Sequence, residues 1–184
     1  VMDLILGGSL RHHIKTLHES ARLMGFPEVV ELVRQVAEAL NYASQQNMAH
    51  RDMKPDNILL KPITEKGSIL NYVPIVTDFG LAKLTISADE MPTIEQPIGT
   101  YPYMSPEQCR AEPVDGRTDI YSLGIMLYEL AVGRLPFQPK TIVEAMRMHN
   151  DETPPLPTEI RPGFPVTLER IILKCLEKNP NDRY

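Results

Sequence analysis

Between residues 26 and 47 the apolar positions recur with the spacing of a helix. Val29, Leu32, Val36, Leu40 and Ala43 fall at steps of three and four, which puts them on one face. Pro27 suits a first helical turn, and Glu28 and Glu31 favour the positive end of the helix dipole. The pattern predicts one long amphipathic helix ending near Asn47. A second stripe, Ile120, Leu123, Leu127 and Leu130, runs through 118–132. Polar positions are few there, which predicts a buried helix, with Gly133 as its stop. Thr141 followed by Glu144 offers a capping box for a helix through His149. Leu168, Ile171, Ile172, Cys175 and Leu176 mark another. Before it, Pro154, Pro155, Pro157, Pro162 and Pro165 predict a connecting loop.

The shorter apolar runs read as strands. Residues 58–60 and 73–76 flank Glu65, Lys66, Gly67 and Ser68, the composition of a hairpin. Residues 81–104 are expected to form a loop. At the start, residues 1–6 are apolar with one acid and stop at Gly7 and Gly8, which suits a strand breaking into a turn that begins a helix. A chain that opens in mid-strand is expected to be the later part of a longer domain. No internal repeat or low-complexity tract is present.

Composition narrows the class. The 184 residues suffice for one domain with one core, and the net charge of −5 lacks the basic excess of a nucleic-acid binder. Only Cys109 and Cys175 are present, neither at metal-ligand spacing, which fits a reducing compartment. No apolar run approaches the roughly 20 residues that span a bilayer, and the first residues lack the pattern of a signal peptide. The expected setting is the cytoplasm, with no membrane contact by this segment.

The candidate chemistry lies in two places. One is His50, Arg51, Asp52, Met53, Lys54, Pro55, Asp56 and Asn57, directly after the long helix; the other is Asp78, Phe79 and Gly80, directly after the hairpin. Any one of these polar residues alone reads as a solvated loop side chain. Together, in this order around a hairpin, they resemble the eukaryotic-type (Hanks-type) serine/threonine protein kinases. The resemblance continues through Ser105, Pro106 and Glu107, where Ser replaces the family's Ala, and its phrasing is most similar to bacterial members.

The resemblance implies a mainly α fold: the kinase C-terminal lobe, a helical bundle with a short β-hairpin at the catalytic cleft, with the N-terminal β lobe absent. Residues 1–184 would be a partial kinase domain, hinge plus C-terminal lobe, with an activation segment at 78–107. It implies ATP and Mg2+ as cofactors. Asn57 and Asp78 would supply hard oxygen ligands to the metal, Asp52 would orient the attacking hydroxyl, and Lys54 would face the γ-phosphate and mark Ser/Thr rather than Tyr specificity. Thr100 would hydrogen-bond Asp52 and Lys54, and 99–104 would form the platform for the residue after the acceptor. Asp119 would accept backbone N–H groups of the catalytic loop, and Arg183 would pair with Glu107; the bland alternative for both is surface charge. At the hinge, the Asp3 carbonyl and the Ile5 N–H would face the adenine edge, with Met2 as gatekeeper and Leu10 and Leu59 under the base, although either leucine also reads as plain core. Arg51 with Lys83 would hold a phosphate on Thr93, with Thr85 and Ser87 as competitors. His12, His13 and His18 are expected on the surface.

The partners implied are ATP, protein substrates with Ser or Thr acceptors, and the missing N-terminal lobe of the same parent chain. The segment alone is expected to transfer phosphate poorly or not at all. Two other classes compete: a pseudokinase that binds partners without chemistry, and a small-molecule phosphotransferase. Lys54, Thr100 and the Ser-Pro-Glu triplet argue against the second.

Overall fold

The computed structural model describes residues 5–64, 68–79 and 101–184. The described residues form seven α-helices, one antiparallel strand pair and three short 3-10 turns. Helix α1 (Leu10–Glu19) starts where the Ser9 hydroxyl accepts from the His12 N–H, and it buries Leu10 and Ile14. Helix α2 (Phe26–Gln45) has Pro27 in its first turn, and the Glu28 carboxylate accepts from the Gly25 N–H at 2.9 Å. It buries Val29, Leu32, Val36 and Ala43, four of the five predicted positions. It stops two residues before Asn47, which takes a left-handed conformation, φ 57°.

Strands β1 (Ile58–Pro62) and β2 (Tyr72–Val76) pair antiparallel, Ile58 opposite Val76 and Pro62 opposite Tyr72. The predicted hairpin is present and slightly longer than its apolar runs; Glu65, Lys66 and Gly67 lie outside the described residues. The Leu60 N–H donates to the Gly8 carbonyl at 2.9 Å, which fastens the entry of α1 to β1.

Helix α3 (Pro106–Cys109) leads to the central post, α4 (Gly116–Val132). The Asp115 side chain caps α4 by accepting from the Arg117 N–H, and Gly133 closes it at φ 87°, donating to the Glu129 carbonyl at 2.8 Å. Its residues from Thr118 to Val132 are buried except Ile120, as the shortage of polar positions predicts. Helix α2 packs on one side of α4 and α7 (Val166–Cys175) on another. The contact with α7 is close enough to require glycine: a Cβ on Gly124 would lie 2.6 Å from the Cβ of Cys175. Gly124→Ala is therefore expected to destabilise the fold by about 1–3 kcal/mol through overpacking. Urea denaturation measures this, and an unchanged midpoint would refute it.

Several expectations need correction. The Thr141 hydroxyl accepts from the Glu144 N–H at 3.1 Å, but the Glu144 carboxylate accepts from the N–H of Lys140 at 2.7 Å, one residue outside the expected partner. The helix so capped, α5 (Ile142–Asp151), ends two residues beyond His149. The proline-rich loop contains a short helix, α6 (Pro157–Ile160), because Pro157 suits its first position and the Glu169 carboxylate accepts from the Thr158 N–H at 2.8 Å. Ile171 is 39% exposed, since α7 buries Leu168, Ile172 and Cys175 and leaves Ile171 off that stripe. Of the first residues, 1–4 lie outside the described part, and Ile5 to Gly8 form a turn without a strand.

Candidate active site

From His50 to Lys54, ahead of the 3-10 turn Pro55–Asn57, the chain is irregular, so its backbone groups need partners from elsewhere. Asp119, in the first turn of α4, supplies two. Its carboxylate accepts from the His50 N–H and the Arg51 N–H, both at 2.7 Å. Burial pushes the Asp119 carboxyl pKa up, and the two donors oppose that shift. At 4% exposure it is a buried acid, not a surface charge. Arg51 is held at φ 67°, a region disfavoured for residues with a Cβ.

His50 is fully buried and bridges the two motifs. Its Nδ1 accepts from the Asp52 N–H at 3.2 Å, so its Nε2 carries the proton and donates to the Thr77 carbonyl at 2.7 Å. The ring meets Phe79 edge-on at 4.8 Å. Thr77 in turn donates its N–H to the Asn57 carbonyl at 2.9 Å and its hydroxyl to the same oxygen at 3.2 Å.

These contacts bring three of the predicted side chains together. The Lys54 ammonium lies 2.9 Å and 3.1 Å from the two carboxylate oxygens of Asp52. The Asn57 amide nitrogen donates to the Asp52 carboxylate at 3.0 Å and to the Asp52 carbonyl at 2.8 Å. With its nitrogen turned to Asp52, Asn57 directs its amide oxygen away from that carboxylate. Asn57 immediately precedes β1 and Asp78 follows β2 by two residues, so the pairing of Ile58 with Val76 delivers both to the same end of the hairpin. Asp78 sits at φ 62° and accepts from the Thr77 hydroxyl at 3.3 Å. One carboxylate and one amide oxygen form a hard donor set suited to magnesium, which keeps several waters and takes few protein ligands.

A second group of contacts shapes the surface beside this loop. A 3-10 turn, Tyr101–Tyr103, replaces the end of the predicted loop, and Ser122 holds it by donating to the Tyr103 carbonyl at 2.7 Å. Arg11 of α1 reaches across to the Asp56 carboxylate at 3.3 Å, to Glu129 of α4 at 2.9 Å, and to the Tyr103 hydroxyl, which itself donates to Glu129. Below it, Arg183 and Glu107 form the expected ion pair, with nitrogen–oxygen distances of 2.7 Å and 2.9 Å. Thr118 donates to Glu107 at 2.7 Å, and the remaining Arg183 donors go to the carbonyls of Arg117, Glu177 and Lys178.

Other predicted residues fall differently. Met2, Asp3, Gly80, Lys83, Thr85, Ser87, Thr93, Gly99 and Thr100 lie outside the described residues. Ile5 is partly exposed. Leu10 requires correction: it has 0% exposure in the first turn of α1, where it is core and offers no surface to a base. Leu59, partly exposed on β1, retains that option. Of the three histidines expected on the surface, His13 is half-buried against Tyr72, and burial lowers its pKa. A cavity of about 630 Å³ between α2, α4 and α7 is lined by Asp119 but by none of Asp52, Lys54, Asn57 or Asp78, so it is not the site of the chemistry.

Comparison with known proteins agrees with this geometry. The protein kinase domain model matches residues 1–184. A Clostridium acetobutylicum protein named "Probable serine/threonine-protein kinase" is 38% identical over 184 residues, covering all of this chain and 26% of its own length. The serine/threonine-protein kinase PknB of Mycobacterium leprae is 36% identical over 184 residues, covering all of this chain and 28% of its own. The pkn3 kinase of Myxococcus xanthus is 41% identical over 160 residues, 84% of this chain and 28% of its own.

The chain belongs to the Hanks-type serine/threonine protein kinase family.

It spans about a quarter of the length of these relatives. As a member of a family that uses ATP and magnesium, the kinase chain places its described motif residues in a mostly helical, kinase-like fold with one strand pair. Among the described residues no helix is long and apolar enough to cross a membrane. Arg11, Tyr103, Gln108 and Glu129 were not legible as site neighbours. Each becomes one through contacts more than 20 residues apart in sequence, and helical spacing carries no trace of them.

Proposed function

We propose that the parent of this kinase chain transfers the γ-phosphate of ATP to serine and threonine hydroxyls of proteins. The observation that carries the reading is the Asp52 carboxylate, held between the Lys54 ammonium and the Asn57 amide at 2.9 Å and 3.0 Å, beside the hairpin end that delivers Asp78. In the reaction the acceptor oxygen bonds to the γ-phosphorus while the bond to the bridging oxygen breaks and ADP leaves. The hydroxyl proton passes to Asp52 or onward to solvent. Asp52 orients the acceptor hydroxyl by accepting its hydrogen bond. Lys54 places positive charge where the transferring group develops negative charge. Asn57 and Asp78 would hold the magnesium, which neutralises phosphate charge when bound.

On this reading residues 1–184 are the hinge and C-terminal lobe of a larger kinase domain, with an activation segment at 78–107. The Asp3 carbonyl and Ile5 N–H would face adenine, with Leu59 beneath it. Thr100 would join Asp52 and Lys54, and a phosphate on Thr93 would be held by Arg51 and Lys83. The lobe that completes the nucleotide clamp would come from the same parent.

The test is phosphate incorporation from labelled ATP by the purified parent, with peptides that differ only in a Ser, Thr or Tyr acceptor. Magnesium-dependent labelling of the Ser and Thr peptides is expected, with loss on chelation. The 184-residue chain alone is expected to show little or none. Labelling confined to Tyr, or absent in the parent, would defeat the reading; ordinary turnover by the 184 residues would defeat only the incomplete-domain part.

A further inference from the structure

The irregular loop before Asp52 has its backbone groups held one by one. Asp119 takes the N–H groups of His50 and Arg51, His50 takes the N–H of Asp52, and Asn57 takes the Asp52 carbonyl. The Arg51 carbonyl goes to Gln108, whose Nε2 donates to it at 2.7 Å from 57 residues away in the sequence. Gln108 belongs to α3, at the far end of the segment that contains the Tyr101–Tyr103 turn. Its carboxamide is engaged at both ends, because its Oε1 accepts from the Ser105 N–H at 3.0 Å. The partners decide which end is which: an N–H can meet only the oxygen, and a carbonyl only the nitrogen. The Ser105 hydroxyl accepts from the Gln108 N–H at 3.3 Å, so Ser105 and Gln108 close a capping box.

We propose that Gln108 is a positioning residue for the reaction, acting through the Arg51 carbonyl to set the orientation of the peptide that carries Asp52. This inference rests on the reading of the site as a protein kinase. Arg51 is at φ 67°, a conformation its Cβ disfavours, so the peptide after it stays in place only where neighbouring groups determine it. His50 Nδ1 determines its N–H side by accepting from the Asp52 N–H, Gln108 determines its carbonyl side, and Asp119 holds the peptide before it through the Arg51 N–H. The capping function uses the oxygen of Gln108 and the positioning function its nitrogen, which makes the two separable.

Gln108→Glu in the full parent protein separates them. The carboxylate keeps the acceptor for the Ser105 N–H and adds negative charge near a helix start, so capping is maintained. It cannot donate to the Arg51 carbonyl while ionised. The expected result is a kcat about tenfold lower at neutral pH, with the KM for ATP unchanged. Because a protonated carboxyl donates again, the ratio of variant to wild-type kcat should rise about twofold as pH falls from about 8 to about 5, where roughly a sixth of an ordinary Glu carboxyl is protonated. Gln108→Met, of similar length and without a donor, should show the loss but no recovery. Wild-type kcat in Gln108→Glu at neutral pH, or a deficit that pH does not change, would overturn the proposal. Should Gln108→Glu fail to fold, wild-type kcat in folded Gln108→Met does the same. An inactive wild-type parent would remove the kinase reading and this inference together; an active wild type with active variants removes the inference alone.

Discussion

Asp52→Asn in the parent kinase is expected to lower kcat by about 10² to 10⁴ while leaving the melting temperature nearly unchanged. The substitution keeps size and shape, so the Lys54 and Asn57 side chains that surround position 52 lose a charge rather than a volume. The cost falls on the reaction, because a neutral amide cannot accept the acceptor hydroxyl's proton and binds its hydrogen less strongly than a carboxylate. Steady-state kinetics with a saturating peptide reads the effect in kcat rather than in the KM for ATP. A variant retaining more than about a tenth of the wild-type kcat would exclude Asp52 from the role.

Arg183→Ala is expected to cost about 3–5 kcal/mol of stability, because it leaves the buried Glu107 carboxylate without its counter-charge. The pair is almost wholly removed from solvent, with side-chain exposures of 0% for Arg183 and 4% for Glu107. Arg183 also satisfies the Glu177 and Lys178 carbonyls just after α7 and the Arg117 carbonyl in the first turn of α4, so its loss loosens two segments at once. Folded domains hold only about 5–15 kcal/mol, which makes this a large share of the total. The pH dependence follows from the same pair. Burial works to raise the Glu107 pKa, but the hydrogen bonds from Arg183 and Thr118 outweigh it and hold the carboxyl below its ordinary value. A depressed folded pKa means the stabilisation is complete above the unfolded value of about 4.3 and disappears as pH falls through the folded one. Denaturant melts of wild type from neutral to acidic pH should show that decline, and Arg183→Ala should show less of it. Equal acid sensitivity in the two proteins would exclude Glu107 as a source.

What could be read from the residues alone was whatever depends on local spacing. Helices α2, α4 and α7 announce themselves because their core contacts recur every three or four residues, and the strand pair because short apolar runs bracket a turn composition. Ile171 shows the limit of that logic: it fits an apolar run, yet α7 turns Leu168, Ile172 and Cys175 into the core and leaves Ile171 39% exposed. Leu10 shows the converse, since a residue assigned to a ligand by resemblance is closed into the core once α1 packs on the strand pair.

The motif residues were legible for a different reason: His50 to Asn57 and Asp78 with Phe79 lie close enough in sequence to be recognised as two groups. Sequence by itself thus determined the longer helices and the strand pair, the chemical character of the site and the family of the chain, but not the short helix α6 or the turn at Tyr101–Tyr103. The tertiary structure decided what holds that site in shape. Asp119, Gln108 and Arg11 reach it from 68, 57 and 45 residues away, and a partner chosen across such distances depends on how the helices pack. Residues 50–54, irregular chain ahead of the 3-10 turn Pro55–Asn57, take their geometry largely from those remote side chains; the family resemblance pointed to Asp119, but helical and strand spacing encodes neither Gln108 nor Arg11.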